Sequence, residues 1–180
     1  HSQIRARATV GGSIAHADPA AELPALLVAL DGSVTLAASS GPGREVKAAD
    51  FFIGPLMTSR EAHEVLTQVT FPIHPGDVVI DEVATRPGDF AIVGAVAALA
   101  LEANTIKMPR IALFGVGGTP QRAAASEALL EGAAPTPDTI SGAAAEVLGE
   151  IEPRGDLHGS SQYRSHLAAT LVERSLRRLL

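Results

Sequence analysis

The stretch RATVGGSIAHADPAAELPALLVALDGSV, residues 7–34, decides how the rest of the chain is read. It sets paired glycines, Gly11 and Gly12, between the hydroxyl residues Thr9 and Ser13, and follows them with Asp18-Pro19 and a leucine-rich run. Read locally, the glycines form a polar turn. Glycine takes positive φ without cost and lets a ligand come close to the main chain. Successive N–H groups in such a turn make an anion nest, to which Thr9 and Ser13 add hydroxyl donors. A tight turn between a strand and the next element explains the same residues, and the local string leaves both readings open. No lysine precedes Ser13, so this is not a Walker A loop. No G-x-S-x-G surrounds it, which excludes a hydrolase elbow.

Beyond the glycines, residues 19–30 read as a helix. Asp18 suits the N-cap and Pro19 the first helical position. Leu23, Leu26, Leu27 and Leu30 recur on one face. Asp18 and Glu22 lie four apart and share one side of the helix start. That pair suits ribose hydroxyls, and equally suits the positive helix end. His16, between the glycines and Asp18, is the one histidine placed to take part.

Further out, Asp31-Gly32 is a turn signal. Residues 34–36 and 44–47 read as a hairpin across the turn at residues 39–43. Phe51 and Phe52 read as core, residues 60–63 as a helical turn, and residues 66–71 as a strand stopped by Pro72. The stretch 71–76, with Pro72 and Pro75, marks a boundary. After it, residues 78–85 read as a strand. The apolar run 90–101 is not typed by periodicity, and its second half is assigned to a strand. Residues 110–114 form a short buried strand. Three helical patterns close the chain, over residues 121–130, 139–150 and 160–180. Strands followed by helices, with no βαβ alternation, argue α+β.

A second glycine run, Gly115-Val116-Gly117-Gly118-Thr119-Pro120, mimics a dinucleotide-binding fingerprint. Its last glycine is Pro120, and Asp138 lies in a Pro-rich turn rather than on a strand. It reads as a strand-to-helix turn with Pro120 at the first helical position.

Composition narrows the function. Among 180 residues, 46% are apolar and the net charge is −6, so no nucleic-acid footprint is expected. Arg174, Arg177 and Arg178 read as a solvated face that suits the last turns of a helix. The absence of cysteine excludes disulfides, thiolate–zinc sites, cysteine nucleophiles and iron–sulfur ligation by this chain. The six histidines, His1, His16, His63, His74, His158 and His166, include no pair with zinc-helix spacing. No apolar run is long enough to cross a bilayer.

Several collinear stretches carry a resemblance: "TVGGSIAHADPAAELPALLVAL", "DFFIGPLMTSREAHEVLTQVTFP", "VATRPGDFAIVGAVAALAL" with "RIALFGVGGTPQRA", and "GDLHGSSQYRSHLAATLVERSL". Together they resemble the flavoprotein (medium) subunit of the molybdenum hydroxylases, the xanthine dehydrogenase and aerobic carbon monoxide dehydrogenase family. The resemblance implies a second FAD-binding subdomain over residues 1–73, built of a small sheet plus helices. A C-terminal domain of antiparallel strands packed with about three helices follows over residues 74–180. It implies FAD as cofactor, with Thr9, Val10, Gly11, Gly12 and Ser13 as the diphosphate and ribityl contact loop. Glu22 takes an acidic cofactor-contact position, Asp18 the helix start, and His16 a position where relatives vary. Glu82 falls near a position that is lysine in some relatives. Arg86 and Asp89 match a recurrent motif read as structural or interfacial.

The resemblance further implies no catalytic acid or base and no metal site on this chain. The expected partners are a molybdopterin-binding large subunit and a [2Fe–2S] small subunit; the first FAD motif is absent, so the first FAD subdomain is either a separate chain of the same particle or lost. A cytoplasmic complex with no membrane span is expected. The opening at His1 is read as a cut just before the second FAD motif. Two rivals stand beside this reading: a docking or scaffold fragment without activity, and an unrelated nucleotide-binding domain that uses the Gly115–Gly118 turn.

Overall fold

The computed structural model describes residues 6–39 and 41–180. The Arg-rich run expected at the chain start, up to residue 5, and Ser40 of the first hairpin turn lie outside the described residues.

The first element is a helix, where the sequence predicted a turn. Helix α1 (Val10–His16) contains both glycines, and neither has a positive φ. Thr9 is its N-cap, with the hydroxyl accepting from Gly12 N–H at 2.9 Å, and Ala17 ends it in the left-handed conformation (φ 54°). The next helix starts later than expected. Asp18 does not cap it. Its Oδ1 accepts from Ala20 N–H at 2.9 Å, closing an Asx turn instead. Pro19 lies in that turn, and α2 runs Glu22–Ala29 with Ala21 as N-cap. Asp18 competes for a nearby backbone N–H and so favours the turn over a helix start. Asp18 and Glu22 therefore do not share a helix face.

Strands β1 (Ser33–Ala38) and β2 (Arg44–Lys47) form the expected hairpin. A four-residue helix α3 (Ala48–Phe51) buries Phe51. The short strands β3 (Phe52–Gly54) and β4 (Met57–Thr58) pair together. Strand β5 (Glu64–Thr70) returns alongside β1, completing a small antiparallel sheet of order β2-β1-β5.

The larger antiparallel sheet has the order β6-β7-β8-β9: β6 (Asp77–Ala84), β7 (Ala91–Glu102), β8 (Thr105–Phe114) and β9 (Gln121–Arg122). The whole apolar run after Phe90 is strand, not only its second half. The register Ile80↔Val96↔Ala112 puts these residues on one face, and Val79↔Ala97↔Ile111 on the other. Both faces are covered. Val93, Ala95, Ala97, Ile111 and Leu113 pack in the core of the C-terminal helices. Val96, Ala112 and Phe114 pack with Leu27 and Leu36 of the N-terminal half. A strand buried on both faces reads as a continuous apolar run without alternation, which is why its period was ambiguous. Pro109 is tolerated inside β8 because the register slips there, beside Met108 at φ 50°.

Three helices finish the chain, as expected: α4 (Ala124–Leu130), α5 (Pro137–Glu150) and α6 (Ser161–Arg178). Pro120 does not start a helix, because β9 intervenes before α4. Helix α5 is capped by the Thr136 hydroxyl with Pro137 in its first turn. Helix α6 is capped by Ser160. Leu167, Leu171, Val172 and Leu176 of α6 are buried. Tyr163 of α6 and Leu148 of α5 are exposed.

Candidate functional site

The predicted site residues lie along α1 and the turn that follows it. At the α1 N-terminus the Thr9 hydroxyl takes Gly12 N–H, and Thr9 C=O accepts from Ser13 N–H at 3.0 Å. The Val10 and Gly11 amides precede the first intrahelical acceptor and remain available at the positive end of the helix. Thr9, Val10 and Gly12 are exposed, while Gly11 and Ser13 are half-buried. The paired glycines are needed for space, not for positive φ. A Cβ on Gly12 would come within 2.9 Å of Thr9 Oγ1, and one on Gly11 within 3.3 Å of Leu66 Cδ2. The surface above the free amides is thus bare backbone flanked by two hydroxyl groups. Buried Ile14 anchors the other side of α1 in the core. This donor set is neutral and multidentate, and it fits a diphosphate. It supplies no cation of its own.

His16 is exposed in the last turn of α1. It lies about 9 Å along the axis from Val10, at 1.5 Å rise per residue, and so is apart from the amide end. After α1, the segment 17–22 is held from two sides. Leu56 N–H donates to Ala17 C=O (3.1 Å), and Gly115 N–H donates to Pro19 C=O (2.8 Å). Asp18 is half-buried, and Glu22 is exposed at the α2 N-terminus.

The structure brings Glu22 close to Glu82 of β6. Burial raises the Glu82 pKa, and the neighbouring charges of Glu22 and then Asp81 raise it further. Asp81 is itself gripped by Arg174, with Nη2 2.8 Å from Oδ1. The sequence marked Glu82 only as a departure from relatives. No spacing in the chain announces that it faces Glu22.

A cleft of about 740 Å³ opens beside this segment. Its walls are the Asp18–Ala20 turn, Pro55, the loop from Arg86 to exposed Phe90, the Gly115–Gly118 turn and the loop around Asp156. Arg86 and Asp89 therefore reach a cavity rather than only an interface. The second glycine run needs its glycines locally. Gly115 has φ 73°, and a Cβ there would sit 2.5 Å from Ile92 C=O. With β9 rather than a helix after it, this turn offers no helix N-terminus to a phosphate. No group of three His, Cys, Asp or Glu placed to hold a metal occurs among the described residues. No described helix is long and apolar enough to cross a membrane.

Residues 1–74 match the family model of the FAD binding domain in molybdopterin dehydrogenase, and residues 80–179 that of the CO dehydrogenase flavoprotein C-terminal domain. The nicotine 6-hydroxylase medium subunit of Paenarthrobacter nicotinovorans is 36% identical over 98% of this chain and 62% of its own length. The carbon monoxide dehydrogenase medium chain of Hydrogenophaga pseudoflava is 32% identical over 97% of this chain and 61% of its own. Among solved structures, quinoline 2-oxidoreductase from Pseudomonas putida 86 superposes with a TM-score of 0.93 at 37% identity, covering 99% of this chain and 62% of that one. The chain thus spans about 62% of the length of the curated relatives it matches. With both family models matched in order and the same fold at this identity, the chain belongs to the FAD-binding flavoprotein (medium) subunits of the molybdenum hydroxylase family.

Proposed function

We propose that this chain holds FAD by its second FAD-binding subdomain, residues 1–73, and docks to its partners with the help of a C-terminal domain, residues 74–180. In a cytoplasmic complex, electrons then run from the [2Fe–2S] clusters of a small subunit through FAD to an external acceptor. The hydroxylation itself occurs on a molybdopterin-binding large subunit. The observation that carries this reading is the α1 N-terminus: two amides without an acceptor among the described residues, two hydroxyls and bare glycine backbone. The proposed division is supported by Pro72 and Pro75, which interrupt the chain, and lies near the end of the first family match at residue 74, before the second begins at residue 80.

FAD, when bound, supplies the conversion between single-electron and two-electron transfer. The chain's own residues bind and orient. Val10 and Gly11 N–H groups donate to phosphate oxygens in the favourable field of the helix end. Thr9 Oγ1, which already accepts from Gly12, keeps its own proton to donate. Ser13 adds a second hydroxyl. Asp18 and Glu22 accept from ribityl or ribose hydroxyl groups, and His16 borders the site. None of these residues moves a proton of the substrate.

A rival nucleotide-binding reading is favoured by one observation, the Gly115–Gly118 turn on the cleft wall. The test is Gly12→Asp beside Gly117→Asp in the purified complex, with visible absorbance and FAD content measured. The proposal expects Gly12→Asp to strip flavin while Gly117→Asp keeps it. The reverse result sinks the assignment. A colourless wild-type complex that takes up no added FAD leaves only a docking fragment.

A further inference from the structure

Arg164 is the most deeply buried cation of the described chain, with 6% of its surface exposed. It sits in the first turn of α6, far along the chain from α1. Its Nη1 donates to the carbonyls of both Ile92 and Gly115, and its Nη2 lies 2.6 Å from Asp156 Oδ2. Asp156 is organised in turn by the N–H groups of His158 and Gly159. The buried Nε has no partner among the described residues. One guanidinium therefore joins the start of β7, the Gly115 turn and the loop before α6, three walls of the 740 Å³ cleft.

Gly115 carries this grip across the fold through the two peptide groups that flank it. Its carbonyl is held by Arg164, while its N–H donates to Pro19 C=O at 2.8 Å. Pro19 lies in the Asx turn closed by Asp18 that delivers Glu22 to the start of α2. Gly115 is closely packed, since a Cβ there would sit 2.5 Å from the Ile92 carbonyl oxygen. Stability alone gives poor reason for such a group. The Arg164 guanidinium is desolvated while its partner Asp156 is half exposed, and desolvation is costly enough that an apolar residue of similar volume often serves stability as well. A planar fork that reaches three acceptors on three segments is, however, a device for fixing their relative positions.

We infer that Arg164 is a positioning residue: through Gly115 it sets the place of the Asp18–Glu22 turn, and with it the carboxylates offered to the cofactor. This rests on the FAD reading above. The test uses the assembled complex carrying wild-type, Arg164→Met, Arg164→Lys or Arg122→Met subunits. Arg122 makes the control, because it forms a partly buried pair with Glu127 (2.6 and 2.9 Å) away from the cleft. FAD dissociation, flavin midpoint potential, the flavin visible band and thermal midpoint are measured together.

Both Arg164 variants are expected to bind FAD about tenfold more weakly, the scale on which partners that orient ligands act, with a displaced potential and band. Arg122→Met is expected to lose comparable thermal stability with unchanged flavin properties. If Arg164→Met matches Arg122→Met in every flavin readout, the inference is overturned. Should Arg164→Met fail to assemble, Asp156→Asn, which weakens the grip without removing the guanidinium, decides by the same readouts. A wild-type complex without flavin overturns the functional proposal itself, a result distinct from any difference between variants.

Discussion

Arg44 and Glu64 tie the end of the first hairpin to the start of β5. Arg44 Nε and Nη2 meet the two oxygens of Glu64 at 2.6 and 2.8 Å, and Glu61 N–H donates to the same carboxylate at 2.8 Å. The hydrogen bond from Arg44, then that from Glu61 N–H, pull the Glu64 pKa down to about 2 from 4.5. A depressed carboxylate stabilises the fold fully above its unfolded pKa and ceases to do so as pH falls through the folded one. Glu64→Gln is therefore expected to lower the thermal midpoint at pH 7, with the gap to wild type closing between pH 4.5 and 2. A gap that stays constant across that range would falsify the assignment of the shift to this pair.

Among the elements, the pairing of β7 with β8 depends on a missing side chain. Gly94 lies opposite Phe114, and a Cβ on Gly94 would come within 2.0 Å of the Phe114 ring. The ring is wholly buried and fills that space. Gly94→Ala is expected to cost about 1–3 kcal/mol by overpacking, measured by urea unfolding with an unchanged slope. Adding Phe114→Leu should return part of it. If the single variant is neutral, the ring is not wedged on the glycine as described.

For the molecule as a whole, the large sheet is a shared wall. Leu27 of α2 is fully buried in one cluster with Val96, Ala112 and Phe114 of the large sheet, while the opposite sheet face supports α4 and α6. Two lengths of chain that match separate family models are thus expected to melt together. Leu27→Ala should cost about 2–5 kcal/mol and reduce amide-exchange protection in β7 and β8 as well as in β1. Two resolved thermal transitions, with protection in β7 untouched, would show that the halves fold independently.

What the residues themselves determined is whatever acts within a few positions or in a collinear pattern. The hairpin of β1 and β2, the Ser160 helix start, the order of strands before helices and the run of family motifs all belong here. Thr9 was legible as a hydroxyl beside glycines, and its resemblance located the candidate loop. The rest was decided by packing. Gly11 and Gly12 became helical because Ile14 has a core to enter and Thr9 supplies a cap, so their task is bare backbone rather than a left-handed turn. Asp18 closed an Asx turn because Pro19 C=O is claimed by Gly115, nearly a hundred residues away in sequence. Strand β7 hid its period because helices from both ends of the chain cover its two faces. The Glu22–Glu82 encounter and the Arg164 grip join segments with no local relation. Local propensity spans a turn or two of chain, whereas burial and hydrogen-bond satisfaction are settled only when distant segments meet.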